Sequence, residues 1–548
     1  MPEPIGHAPP RDLPRWMVAL CATLWIVIGL FGREPYKPDE AYTVGLVKSV
    51  VDTGDWVVPR LVGEPFMEKP PLFFDAAALF ANAMPWLPLH EAARFAVVFF
   101  IGIGLLAIAL SARAVHGRGS GRLAVLLTLA TLGTVVRMHQ LITDIAQFAG
   151  VAIALLGLVR APSRPVLGGV LLGVGLAVAF LAKGLLGPGL IVCTAPVLLA
   201  FAPWRQTSIA KTFALAAVIA VSLAACWLVP LALRAPDQLH VWFYDNNLGR
   251  FLGSNNLGPK KDLLFYARLL PWYALPCWPL VLWGLWRTSR DEVRGGDDRF
   301  RAAPAWVFIA VGVAVLTLAS DGRELYALVL VPAFAVAATG GLLSVPVRLE
   351  RWLAIGVAVL MLGLSLFVFG VWVHAMQTPG MTATLPPIVA YPAMVAPSPR
   401  AMVAYALSAV AVVVMFAALR RPTRGTLPLA GAAGIVMLWA SIVLPWGNYL
   451  DALKGYRAVA LALREHLPET NCVASTMLGE GERALLDYFI GLRTQRIESQ
   501  ASAKLCNALL VQARPDTSID LDAQWRLHWE GARGTLGIDT SALRLYVR

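Results

Sequence analysis

The ionisable residues of this sequence stand out because so little around them is polar. Between Phe31 and Phe74 the chain reads FGREPYKPDEAYTVGLVKSVVDTGDWVVPRLVGEPFMEKPPLFF. Asp39 and Glu40 are adjacent after Pro38, and Glu68 and Lys69 stand before Pro70 and Pro71. Charges are costly beside a bilayer, so such a cluster is a functional-site candidate by default. Asp39 and Glu40 also suit the first turn of a helix, where acids cap the free N–H groups. Glu68 and Lys69 read either as a surface ion pair of small value or as a cation placed for an anionic group, with a carboxylate orienting it. Lysine is a compact point charge that suits phosphate. The two prolines hold the chain extended and fix where that pair points.

Further polar groups lie at the ends of apolar runs. In VVRMHQLITDIAQF, Asp144 follows Arg137, His139 and Gln140, and Thr143 or Asp144 could cap the next helix. Lys183 in GVGLAVAFLAKGLLGPGL is either a snorkelling lysine or part of a tight glycine-rich turn where backbone and ligand come close. The 234–268 stretch carries Arg250, Lys260, Lys261 and Arg268, which fit an anionic lipid head group or a solvated loop. DGRELY adds Arg323 and Tyr326 at the start of another run. Asp520–Leu521–Asp522 resembles a metal–nucleotide motif but has no glycine-rich cradle near it.

The elements that must position these groups are membrane helices. Of 548 residues, 58% are hydrophobic and 15% charged, and mean hydropathy is +0.65. A soluble chain carries about a quarter charged residues. The apolar segments are continuous runs of helix-spanning length, not the alternating short strands of a barrel. Runs begin at Trp16 and then at about 94, 121, 144, 166, 186, 211, 269, 303, 324, 352, 401 and 427, which predicts roughly thirteen spans. With a cytoplasmic N-terminus after Arg11 and Arg15, each loop falling inside is basic, including Arg113–Arg122, Arg287–Arg301 and Arg420–Arg424. The net charge of +12 is that bias, and no clustered basic face suggests nucleic acid. The opposite face collects Asp39–Lys69, Arg137–Asp144, Lys183, Asp321–Glu324 and everything after about 447.

The first outward stretch, 32–91, predicts amphipathic interfacial helices at Glu40–Val51 and Leu72–Met84. Residues 1–446 read as the transmembrane catalytic part. Residues 447–548 read as a small α/β domain, with helices near Leu453–His466 and Glu482–Ile490 and short strands near 472–476, 496–499, 508–512, 525–529 and 543–547. Cys472 and Cys506 lie in this polar part, where a disulfide is open to them outside the cytoplasm. The cysteine spacing suggests no zinc site.

On these residues the chain resembles the GT-C superfamily of glycosyltransferases. It is most similar to the bacterial lipid A aminoarabinose transferases and the related protein O-mannosyltransferases. PDEAYTVG, TGDWVVPRLVGEPFMEKPPLFF, TDIAQF, FLAKGLLGPGL and NNLGRFLG follow the family's order along about the first 330 residues. The resemblance implies a polyprenyl-phosphate sugar donor used on the periplasmic side of the bacterial inner membrane. It implies an essential acid at Asp39, seconded by Glu40 and Asp144, and a donor phosphate held by Lys69, Arg250 and Tyr326. Glu68, Tyr42, Lys183 and Arg137 would support them. The 240–260 loop departs from the pattern, with asparagines where aminoarabinose transferases often have a histidine. No cofactor is expected, with a divalent metal at Glu68 as the alternative. The expected acceptor is lipid A or another glycolipid, with a polysaccharide or a protein hydroxyl still open. The rivals are a lipid-linked sugar flippase, which would put its polar groups near the midplane of paired helical halves, and a catalytically dead assembly protein.

Overall fold

The computed structural model describes residues 11–249, 252, 260–290, 300–377, 396–417, 423–470, 472–499, 503, 505–514, 517, 521–522, 524–532 and 542–548. In chain order its helices are α1 (Arg15–Val27), α2 (Asp39–Thr53), α3 (Leu72–Ala83), α4 (Leu89–Ala93), α5 (Phe95–His116), α6 (Ser120–Ala130), α7 (Leu132–Arg137), α8 (Asp144–Arg160), α9 (Pro165–Lys183), α10 (Leu186–Leu198), α11 (Thr207–Arg234) and α12 (Pro236–His240). They continue with α13 (Phe265–Tyr273), α14 (Cys277–Arg290), α15 (Ala303–Leu318), α16 (Val331–Ser344), α17 (Val347–Gln377), α18 (Pro399–Ala417), α19 (Thr426–Val443), α20 (Gly447–Lys454), α21 (Arg457–Glu465) and α22 (Glu480–Ile490). Every apolar run expected to span is built mainly of helix. Among the described residues, seven helical stretches are long and apolar enough to cross a membrane, and α1, α3, α6, α10 and α15 are shorter apolar helices. Two runs are interrupted. The run at 121–136 breaks at Thr131, whose backbone is extended. The run at 269–286 breaks before Cys277, at Pro276, which has no N–H to continue a helix.

Small residues let the central helices approach closely, as in membrane bundles generally. A Cβ on Gly150 would sit 2.4 Å from the Ala179 nitrogen, and one on Gly175 would sit 2.3 Å from the Ala154 nitrogen. Helices α8 and α9 therefore meet backbone to backbone, which sets Asp144 at the start of one beside Lys183 at the end of the other.

The stretch between α1 and α5 is tied to the bundle by one carboxylate. Arg33 donates two hydrogen bonds to Glu40, at 2.6 and 2.8 Å, and Arg94 lies 3.7 Å from the same group. The Leu141 N–H at 3.0 Å and the Tyr36 N–H at 3.1 Å complete its shell. Arg33 also donates to the His139 carbonyl at 2.6 Å, and Arg94 to the Arg33 carbonyl at 2.8 Å. Glu40 is 1% exposed and Arg94 0%. Burial alone would raise the Glu40 pKa, but Arg33 and Arg94 bring it down to about 2. Glu40, expected beside Asp39 in catalysis, is placed inside the fold, where each of its oxygens accepts two hydrogen bonds from the protein. His139 is likewise internal, its ring nitrogens against the Val135 and Trp25 carbonyls and its ring between Trp25 and Trp439.

The C-terminal segment carries a five-stranded sheet in which Val473–Thr476 runs parallel to Gln495–Arg496 on one side and to Ala508–Ala513 on the other. Ala542–Val547 pairs antiparallel with Ala508–Ala513 and with the edge strand Arg526–Ala532. The helix expected at Leu453–His466 is two, α20 and α21, parted at Gly455. Cys472 and Cys506 are joined in a disulfide. The segment packs on α2 through α22. A Cβ on Gly45 would lie 2.7 Å from that of Ala484, and Arg483 reaches Glu64 at 3.0 Å. The Tyr488 hydroxyl lies 2.7 Å from His90 Nδ1.

Glu40→Gln is expected to destabilise the protein by about 3–5 kcal/mol, because two buried guanidinium groups lose their anion. Thermal unfolding in detergent checks this. Because the folded pKa is depressed, the stabilisation is complete above the ordinary value of 4.5 and disappears as pH falls toward about 2. The mutant should therefore lack part of the wild type's loss of stability in that window. Cys472→Ser should cost about 2–4 kcal/mol, since the bridge closes a loop across 34 residues of sequence separation. Earlier proteolysis of the C-terminal segment would report it.

Candidate active site

Asp39 is the first residue of α2, and Tyr42 lies one turn further along the same face. The Tyr42 hydroxyl donates to Asp39 Oδ1 at 2.6 Å. Lys69 sits in a bend after the turn at Met67–Glu68, not in the extended chain expected around the double proline, and hydrogen-bonds the Tyr42 hydroxyl from the other side. Its Nζ is 3.9 Å from Asp39 Oδ1 and 4.8 Å from the centre of the tyrosine ring. Burial, then the negative charges of Asp39 and Glu68, push the Tyr42 hydroxyl pKa well above its ordinary value. The phenol is therefore a neutral relay from ammonium to carboxylate. No side chain caps α2, so Asp39 is not spent on the helix end.

A second ion pair faces the first. Lys183 closes α9 and pairs with Asp144, which opens α8; α8 also has no side-chain cap. Lys183 Nζ lies 4.9 Å over the Tyr326 ring, and the Tyr326 hydroxyl donates to Asp321 at 2.9 Å. Arg137 turns away to Glu324, at 2.7 Å, and to Gln140, at 3.2 Å. It braces the α7–α8 turn against the segment carrying Tyr326. Arg250 and Asp520 lie outside the described residues.

Two cavities meet at this cluster. One, of about 320 Å³, has Lys69, Lys183, Asp321 and Tyr326 among its walls and is otherwise lined largely by apolar residues of α10 and α15, such as Leu186, Leu190, Val315 and Leu316. The other, of about 720 Å³, is polar and holds Lys37, Asp39, Tyr42 and Arg323, together with Glu480, Glu482 and Gln512 from the C-terminal segment. Glu68 and Asn246 line both. Glu40 and Arg137 line neither. This geometry can hold an anion with a long apolar tail on one side and a polar group on the other.

Several of these residues do not stand out in the sequence. Lys37, Glu480 and Glu482 look like ordinary charges beside helix starts, and only the docking of α22 on α2 brings them to the cavity. Asn246 reads in sequence only as a departure from a histidine. Among the described residues no group of three or more His, Cys, Asp or Glu side chains could hold a metal ion.

No family model matches the chain. It is 29% identical over 292 residues to the undecaprenyl phosphate-alpha-4-amino-4-deoxy-L-arabinose arabinosyl transferase of Serratia proteamaculans, covering 50% of this chain and 51% of that one. It is 30% identical over 292 residues to a protein of the same name from Sodalis glossinidius, covering 50% of each. The chain spans about half the length of the curated relatives it matches. The crystal structure of ArnT from Cupriavidus metallidurans bound to undecaprenyl phosphate superposes with a TM-score of 0.71 at 16% identity, over 97% of both chains. The apo form of the same protein gives 0.70 at 16% identity over the same share. From end to end, this chain has the GT-C type fold of the ArnT structures.

Proposed function

We propose that the protein is an integral-membrane inverting glycosyltransferase of the bacterial inner membrane. It moves a sugar, 4-amino-4-deoxy-L-arabinose on this reading, from undecaprenyl phosphate to lipid A on the periplasmic face. The observation that carries this is the pair of cavities, one apolar with two lysines and one polar with Asp39, joined at Glu68. The similarity to transferases named for undecaprenyl phosphate-aminoarabinose supports the donor. A disulfide in the C-terminal segment and basic loops on the opposite side support the orientation. Placement of Asp144 and Lys183 at helix ends, rather than on helices broken at the midplane, favours an enzyme over a flippase.

In this mechanism the polyprenyl chain lies along α10 and α15 and its phosphate meets Lys69 and Lys183. The bond between the anomeric carbon and the phosphate oxygen breaks, its electron pair leaving with the phosphate, where the two ammonium groups stabilise the growing charge. An acceptor oxygen attacks the opposite face from the polar cavity, which inverts the anomeric centre. A lipid A phosphate is already ionised, so Asp39 then orients the sugar or stabilises its developing positive charge. Tyr42 holds Asp39 in place and couples it to Lys69. A second reading, a hydroxyl acceptor with Asp39 taking its proton, is favoured by the carboxylates of the polar cavity: Asp39, Glu68, Glu480 and Glu482 against Lys37 and Arg323.

Purified protein with undecaprenyl-phosphate aminoarabinose and lipid A tests the reading. Asp39→Asn and Lys69→Ala should each lower kcat on the order of 10²- to 10³-fold. Full activity in both mutants would reject the mechanism, and no transfer by folded wild type would reject the substrates. Lys183→Ala should weaken undecaprenyl phosphate binding on the order of tenfold or more, and Lys183→Arg should keep part of it. Titration of the lipid into the detergent-solubilised protein measures this without turnover.

A further inference from the structure

Asp39 stands two residues after Lys37, and Lys37 leaves the loop for the C-terminal segment. Its ammonium pairs with Glu482 and lies 3.3 Å from the Tyr456 hydroxyl. The same Glu482 oxygen accepts from Tyr456 at 3.0 Å and from Gln512 Nε2 at 2.7 Å. Glu482 is 1% exposed and sits in the first turn of α22. A carboxylate buried this deeply is poor evidence of stability, because an apolar pair of the same volume would serve as well. What a fully partnered charge adds is a defined position.

The contacts around it are too close to let the two helices shift independently. A Cβ on Gly481 would lie 3.2 Å from that of Ala41, and one on Gly45 would lie 2.7 Å from that of Ala484. Helix α22 therefore sits against the first turns of α2, where Asp39 begins. Glu40 anchors that turn to the bundle from one side. Lys37 anchors it from the other, and Lys37, Asp39, Glu482 and Gln512 share the walls of the polar cavity.

The geometry points to Glu482, acting through Lys37, as a positioning residue for Asp39: the docked C-terminal segment sets the place of the reacting carboxylate and so belongs to the transferase site. This rests on the transferase reading above, and the test separates the two. One arm needs no substrate. Hydrogen exchange of the 39–46 backbone is measured in detergent for wild type, Glu482→Gln, the milder Lys37→Met, the reversed pair Lys37→Glu with Glu482→Lys, and Asp52→Asn. Asp52 pairs with Lys48 one turn back on α2 and, at the periphery of the same interface, with Arg493 at 3.5 Å. Exchange should rise about tenfold in the two single variants of the Lys37–Glu482 pair, fall back in the reversed pair, and stay at the wild-type rate in Asp52→Asn.

The second arm measures transfer from undecaprenyl-phosphate aminoarabinose to lipid A. Glu482→Gln and Lys37→Met should lower kcat about tenfold or more with the donor KM unchanged, and the reversed pair should recover a large part of it. A kcat within twofold of wild type in both single variants overturns the inference, whatever the exchange shows. Equal losses in Glu482→Gln and Asp52→Asn also overturn it, since a merely structural joint behaves that way. If wild type transfers nothing while exchange follows the expected pattern, the substrate assignment fails and the positioning device stands.

Discussion

In apolar surroundings a charge must be paired where it lies, and the Glu40 carboxylate between Arg33 and Arg94 is where this chain meets that demand most completely. Successive residues of a helix are turned by about 100° from one another. Two adjacent acids at a helix start therefore cannot serve the same purpose. Glu40 faces the bundle and binds the α1 end, the start of α5 and the turn before α8 into one piece. Asp39 is thereby left facing the cavity. The rest of the site depends on that division.

The two lysines obey the same rule differently. Each is nearly buried, and each is balanced by one acid and one aromatic ring: Lys69 by Asp39 and Tyr42, Lys183 by Asp144 and Tyr326. These partners hold the two lysines in an apolar wall, yet leave them at a cavity rather than sealed in the core. An anion entering there gains two cations already held in place, which is how preorganised electrostatics contribute to catalysis. The close backbone contact of α8 and α9 places one pair, and the Tyr42 hydroxyl links the members of the other.

The C-terminal segment is more than an appendage to this bundle. It packs on α2 through glycine and alanine, and its first-turn acids reach the cavity that Asp39 lines. Small residues at the contact bring the helices close; charged residues around it fix their register. A disulfide braces the sheet behind that contact.

The sequence by itself determined the helical membrane class, the places of nearly all the helices, including the two between residues 32 and 91, and most strands of the C-terminal segment. Those features arise from local hydrophobic pattern and from proline and glycine breaks, which a chain carries along its length. Asp39, Lys69, Asp144 and Lys183 were legible as candidates because charge is rare in so apolar a chain. Which of the acids faces a cavity was not legible, since Asp39 and Glu40 are alike in type and differ only in helical phase. Nor was the place of Glu482 in the wall of the same cavity, more than 440 residues from Asp39 in sequence. Only the tertiary structure decided these, because they depend on which faces meet when α22 closes over α2, and no local pattern records a contact between distant segments.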